Sequence, residues 1–324
     1  MQHSARYRNR IALSTSQFSL LTRLRRASAV PLVAVCAWMT ALPALAGDEP
    51  KTEAPRAPEN DVVGALVIVG GGGLPDAIRD RFVQLAGGKN GKLVVIPTAS
   101  EFADRTGNYR GFKYWEKQGL ASVSLLNTLD HKKANDPSFI KPLTEATAAW
   151  LGGGDQLRLA KAYHGTAVEK ELRRLYARGG VIGGTSAGAS VMSSIMITGG
   201  FSQASIDEGF GLLPDVVIDQ HFRNRKRQNR LMGVLRKNPR CLGLGIDENT
   251  AVVVSGHKFT VMGQANVSVC LPPTDSEELG PITLLKADEV GDLLQLRGSV
   301  MARVRIPAES KPIASKAETR ATMP

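Results

Sequence analysis

The sequence predicts an α/β fold, a doubly wound and mostly parallel sheet with an antiparallel edge at its C-terminal end. Three observations predict it. Short continuous apolar runs recur along the chain, as they do in strands buried on both faces. Between them lie segments whose apolar residues follow helical spacing. After residue 250 the pattern changes to short strands joined by tight turns.

Ala65-Leu66-Val67-Ile68-Val69 is the first buried strand and runs into Gly70-Gly71-Gly72-Gly73. Pro75 to Leu85 then sets Ile78, Phe82 and Leu85 on one helical stripe. Leu93-Val94-Val95-Ile96-Pro97, Val123-Ser124-Leu125-Leu126 and Ala148-Ala149-Trp150-Leu151 repeat the buried-strand pattern. A helix over Ala167 to Arg178 is closed by Gly179-Gly180. Val181-Ile182-Gly183 leads into Thr185-Ser186-Ala187-Gly188-Ala189, and Val216-Val217-Ile218 is a further short strand. Thr250 to Val254, Lys258 to Met262 and Asn266 to Leu271 are the strands of the antiparallel edge, joined by Ser255-Gly256-His257 and Gly263-Gln264.

The chain of 324 residues carries 41 Lys+Arg against 30 Asp+Glu, a net charge of +11 that resembles a nucleic-acid footprint. Six of those Arg lie in residues 1–46, which contain no acid, so the remainder is 35 against 30, or +5. No nucleic-acid partner is expected from so mild a balance. Arg23, Arg25 and Arg26 followed by the apolar run Ala29 to Leu42 and by Ala44-Leu45-Ala46 have the three parts of a secretory signal. Residues 1–46 are read as that signal, 47–60 as a flexible linker, 61–306 as the folded domain and 307–324 as a mobile tail. The expected location is therefore export, periplasmic or secreted, with no membrane span remaining after cleavage.

Cys36 leaves with the signal, and Cys241 and Cys270 remain either as a bridge or as two small buried residues. No Cys/His pair has zinc-ligand spacing, so no metal is predicted. The glycines after the first strand miss a dinucleotide fingerprint because Pro75 stands where its last glycine belongs, and no cofactor is predicted.

Three constellations carry chemistry. Gly184-Thr185-Ser186-Ala187-Gly188 fits G-x-S-x-G at a strand-to-helix turn, where a strained serine presents its hydroxyl and the following N–H faces a developing oxyanion. Ser186 is the predicted nucleophile, with Ala187 one oxyanion donor. Leu151-Gly152-Gly153-Gly154-Asp155-Gln156 is a second glycine turn at a strand end, and it offers Gly154 as the other donor. His221, in Asp219-Gln220-His221-Phe222, emerges from a strand end beside Arg223, Arg225, Lys226, Arg227 and Arg230 and is the predicted general base. The basic run lacks the aromatic interleaving of a nucleic-acid surface, and guanidinium forks suit carboxylates, so it reads as a clamp for an acidic substrate.

These motifs resemble the cyanophycinase branch of the S51 serine peptidases, the family that also holds α-aspartyl dipeptidase. The resemblance rests on Phe82-Val83-Gln84-Leu85-Ala86-Gly87-Gly88, Val95 to Ser100, Gly153 to Leu159, Gly184 to Ala189, Ile218 to Phe222 with the arginines after it, and Leu244 to Ala251. It implies a class I glutamine-amidotransferase-like α/β sandwich. It also implies hydrolysis of cyanophycin, or of a related aspartyl peptide, to β-Asp-Arg dipeptides through a Ser186 acyl-enzyme. Gln156, Asp219, Gln220, Arg225, Arg227 and Arg230 match positions implicated in substrate binding. The family carries a Glu between nucleophile and base. Gln203 falls nearest that position here and is taken as the third triad member, with Asp207 and Glu208 as the alternatives. A homodimer is the assembly left open.

Two other classes remain. An α/β-hydrolase esterase would use Ser186, Asp247 and His257 in that order. A non-catalytic exported binding protein would need none of them.

Overall fold

The computed structural model describes residues 64–106 and 109–304. The signal, linker and tail segments at 1–46, 47–60 and 307–324 lie outside the described residues. Five apolar runs form a parallel sheet: β1 (Ala65–Val69), β2 (Lys92–Ile96), β3 (Ser122–Leu125), β4 (Ala148–Leu151) and β5 (Val181–Thr185), in the spatial order β3-β2-β4-β5-β1. Because successive side chains alternate, Leu66 and Ile68 enter one core layer while Val67 and Val69 enter the other. Helix α1 (Asp76–Leu85) and, beyond α2 (Glu101–Thr106), helix α3 (Arg110–Glu116) cover the second layer. There Phe82, Trp115 and Trp150 pack with ring centroids 4.8 to 5.1 Å apart. Helices α4 (Pro137–Thr144), α5 (Gln156–Tyr163) and α6 (Ala167–Ala177) cover the opposite face.

The chain then makes a hairpin of β6 (Ile195–Gly199) and β7 (Ser205–Glu208), reached through the short helix α7 (Ala187–Ser190). Strands β8 (Val216–Gln220) and β9 (Leu242–Ile246) pair in parallel, with α8 (Gln228–Lys237) as their crossover. Strands β10 (Thr250–Ser255) and β11 (Lys258–Gly263) return to β1 as the expected antiparallel edge. The third expected edge strand goes elsewhere. Over β12 (Val267–Cys270) the chain pairs with β9, from Val267 opposite Ile246 to Cys270 opposite Gly243. With β13 (Ile282–Leu285) it completes a second sheet, ordered β13-β12-β9-β8. The physical reason is burial. Val267 and Val269 enter the large core while Cys270 packs under α8, so this strand needs two covered faces. The outer edge of β11 is meanwhile taken by β14 (Val290–Asp292), after which α9 (Leu293–Arg303) follows.

The topology brings the C-terminal ends of β4, β5 and β1 side by side, so the glycine turns at 152–154, 184–188 and 70–73 meet. Strand β8 extends two residues beyond its predicted end, so Asp219 and Gln220 are strand residues and His221 is the first outside. Among the described residues no helix is long and apolar enough to cross a membrane.

Candidate active site

Ser186 caps α7 with φ 53° and ψ −110°, a backbone that side chains disfavour by about 1–3 kcal/mol. Three backbone bonds hold it there. Its N–H donates to Val69 O at 3.0 Å, and its carbonyl accepts from Ala189 and Ser190, each at 3.0 Å. Gly188 allows α7 to lie directly on β4, because a Cβ there would stand 2.2 Å from Leu151 O.

His221 also has a positive φ, 49°, and its N–H donates to Gly70 O at 2.7 Å, which ties the second sheet to the first. Its Nε2 lies 2.9 Å from Ser186 Oγ, and its Nδ1 lies 2.6 Å from Glu248 Oε1. A carboxylate can only accept, so Nδ1 carries the proton and Nε2 is free to accept from the serine hydroxyl. Glu248 belongs to the β9–β10 turn, whose ends are fastened to the loop after His221. Asp247 Oδ1 accepts from Arg223 N–H at 2.8 Å, and Glu248 N–H donates to Asn224 Oδ1 at 3.0 Å. Asn249 closes the arrangement, donating its N–H to Gly71 O at 2.9 Å and accepting from Gly73 N–H at 2.7 Å. Gly71, at φ 102°, backs the imidazole so closely that a Cβ would sit 2.2 Å from His221 Cε1.

Burial pulls the His221 pKa below the ordinary histidine value, Glu248 opposes this, and the charges of Arg225 and Arg227 lower it further. The ring is therefore neutral, and able to act as a base, at lower pH than an ordinary histidine would be.

The third member of the relay is thus Glu248, a correction to the expectation of Gln203. Gln203 is exposed beyond the β6 end of the hairpin. Neither alternative is on the imidazole: Asp207 accepts from the N–H of Glu208, and Glu208 pairs with His164 at 3.2 Å. The esterase order is not assembled, since His257 lies in the β10–β11 turn, 3.7 Å from Asp292. In the turn after β4 it is Gly153 that faces the nucleophile, where a Cβ would lie 3.5 Å from Ser186 Cβ. Gly154, at φ 141°, packs on the carbonyl of Ala99. Ala187 is the first residue of α7, directly after Ser186.

Of the six residues expected on the substrate, Asp219, Arg230, Gln156 and Gln220 make side-chain bonds within the fold. Asp219 is fully buried, and Arg230 holds it with Nη2 at 2.5 Å and Nε at 2.8 Å. Burial pushes the Asp219 carboxyl up, and Arg230 and Arg227 pull it back. Arg230 also donates to Gly200 O at 2.9 Å, so this pair anchors the hairpin. Gln156 gives its amide N–H groups to Ile197 O at 2.7 Å and Thr198 O at 3.2 Å, a second anchor for the same hairpin. Gln220 supports Arg227, accepting from it through both its backbone carbonyl, at 2.6 Å, and its side-chain oxygen. Burial and the neighbouring Arg230 lower the Arg227 pKa to about 10, so it remains a cation at neutral pH. Arg225, Arg227 and Arg230 line a cavity of about 280 Å³ with Gly199, Gly200 and Phe201 of the hairpin.

Glu248, Asn224, Asn249 and Gly71 were not legible as site residues. The available signal was an acidic pair, Asp247-Glu248, directly after an apolar strand, beside a four-glycine turn with no dinucleotide fingerprint.

The model for peptidase family S51 matches residues 66–262. Curated relatives include the cyanophycinase of Geminocystis herdmanii, 35% identical over 201 residues, which are 59% of this chain and 74% of the relative. The Synechococcus elongatus cyanophycinase is 35% identical over 215 residues, 62% of this chain and 66% of the relative. That of Trichormus variabilis is 34% identical over 232 residues, 67% and 76% of the two chains. Among solved structures, a peptidase from an acI-B1 actinobacterium superposes with a TM-score of 0.56 at 25% identity, covering 71% of this chain and 96% of that one.

Proposed function

The chain belongs to peptidase family S51 and is a serine peptidase; from that premise we propose that it is an exported cyanophycinase, an exopeptidase releasing β-Asp-Arg dipeptides. Cyanophycin is a polyaspartate in which each side-chain carboxyl is joined to the amine of an arginine, so every repeat ends in a free carboxylate. The observation that carries the substrate is the arginine-lined cavity formed by the loop after His221: Arg227 and Arg225, whose backbone N–H donates to His221 O at 3.0 Å, both line it. The curated cyanophycinase relatives support the same reading.

In the proposed mechanism Ser186 Oγ attacks the backbone carbonyl of an aspartyl residue while His221 Nε2 takes its proton. Glu248 steadies the imidazolium. The N–H groups of Ala187 and of the Gly153–Gly154 turn would receive the oxyanion. His221 then protonates the departing amine, leaving an acyl-enzyme on Ser186. Water, deprotonated by His221, hydrolyses that ester and restores the serine. Export through residues 1–46 belongs to the same proposal.

The test is incubation of the chain from Gly47 onward, and of its Ser186→Ala variant, with purified cyanophycin, followed by mass spectrometry for β-Asp-Arg. Dipeptide from the parent alone is the expected result. No dipeptide, with a fluorophosphonate probe still labelling Ser186, would leave a serine peptidase of other aspartyl peptides. No labelling would favour a binding protein.

A further inference from the structure

A second cavity, of about 620 Å³, opens on the α8 side of the second sheet. Its cations are Arg223, Lys226 and Arg227, and its apolar wall is Phe222 with Ile282 and Leu284 of β13. Arg227 also lines the smaller cavity beside His221, so the two are neighbours across one guanidinium. The loop after β8 divides its charges between them. Arg225 N–H donates to His221 O, Lys226 N–H to Arg223 O at 3.1 Å, and Arg227 N–H to Phe222 O at 3.0 Å. This tight turn, with Lys226 at φ 51°, sends Arg225 to the first cavity and Arg223 and Lys226 to the second.

Among the described residues, no carboxylate lines either cavity. Arg223 reaches Asp247 at 3.8 Å but keeps half of its side chain exposed. Leu284, on the edge strand, is 51% exposed, so the second cavity pairs open cations with an open apolar wall. Its volume lies within the roughly 300–1,000 Å³ of ligand clefts.

We propose that this second cavity is a distal site for the polymeric substrate, binding carboxylate-bearing repeats beyond the one held at Arg225 and Arg227. The assignment rests on the cyanophycinase reading and adds to it a preference for chain length. Each repeat brings a carboxylate for Arg223 or Lys226 and a methylene stem for the exposed Leu284. A ligand that spans both cavities gains effective concentration at the relay without any new contact at Ser186.

The experiment compares kcat/KM on long cyanophycin chains with kcat/KM on a two-repeat oligomer, which has no repeat beyond the scissile pair, for the parent and for Arg223→Gln/Lys226→Gln. The variant should lose about tenfold on long chains and stay within about twofold on the oligomer, as expected for two solvent-facing ion pairs. Lys226→Glu should lose more on long chains than Lys226→Gln. Added salt should erode the parent's long-chain advantage. Unchanged probe labelling of Ser186 and an unchanged melting temperature show that each variant is folded and has an intact relay. Equal losses on both substrates, or none on either, overturn the proposal. So does a parent dimer that Leu284→Asp dissociates, because the cavity then belongs to a second copy. A parent that cleaves neither substrate is a different failure, that of the cyanophycinase reading itself.

Discussion

With Glu248 on Nδ1, the His221 ring is fixed in the tautomer that accepts from Ser186, and its cation is stabilised when it forms. Glu248→Gln keeps the shape of the contact but removes the charge and can present an N–H to the ring. It should cut kcat by about a thousand- to ten-thousandfold while leaving the melting temperature nearly unchanged, since Glu248 is partly exposed. Gln203→Ala, on the exposed loop, should leave kcat within about twofold; a large loss there would reopen the assignment of the third member. The acid limb of activity belongs to the same ring. Protonated His221 cannot take the serine proton, so activity falls as pH drops through its pKa, which burial and the two arginines hold low. Replacing Arg225 by Gln removes one lowering charge, so the limb should move to higher pH. The rate of fluorophosphonate labelling against pH reads this without any substrate. A limb that stays put, or moves to lower pH, contradicts the electrostatic account.

At the scale of elements, the hairpin β6–β7 is fastened to β8 and α8 by Arg230, which spans Asp219 and Gly200. Arg230→Met leaves Asp219 buried with Arg227 at 3.5 Å as its remaining ion pair. Stranding a buried charge in this way costs about 3–5 kcal/mol, roughly 10 °C of melting temperature for a domain of this size. Asp219→Leu/Arg230→Met should recover part of that loss in a thermal scan, because no bare carboxylate is left. The turn after β1 is equally strict, for a different reason. Gly71→Ala drives a methyl into the imidazole from a backbone at φ 102°, so labelling of Ser186 should collapse even where the protein still folds. These elements also mark what the sequence could and could not reveal. Strands β1 to β5 were legible because each is a continuous apolar run, and the nucleophile because its glycines are local. The partner of Val267–Cys270 was not legible, since an apolar strand near a hairpin fits either sheet and the outer edge of β11 goes to a segment some thirty residues later. Glu248 was missed because its distance from His221 is set by pairing of β8 with β9, not by any spacing along the chain. The bonds that Asp219 and Gln156 make within the fold were not legible, because polar residues that hold a site together look, in sequence, like residues that hold a ligand.

For the whole molecule, the proposed export sets a question that burial answers: whether Cys241 and Cys270 bridge in an oxidising compartment. Both are free thiols in the folded chain. Cys270 pairs with Gly243, so Cys241, two residues earlier, is diagonal to it. Diagonal neighbours stand roughly 7–8 Å apart, beyond the usual Cα span of a disulfide. Burial also pushes the Cys270 thiol up to about 12 and raises that of Cys241. The Cys270 thiolate is then scarce at neutral pH, and exchange needs the thiolate. Forming a bridge would require the second sheet to open. The protein recovered from a secreting host should therefore begin at Gly47 and, denatured without reductant, take up two alkylating groups. Three groups on a heavier chain would mean that the leader with Cys36 was retained. Zero groups on the shorter chain would mean that the two strands move far enough during folding for oxidation to capture them.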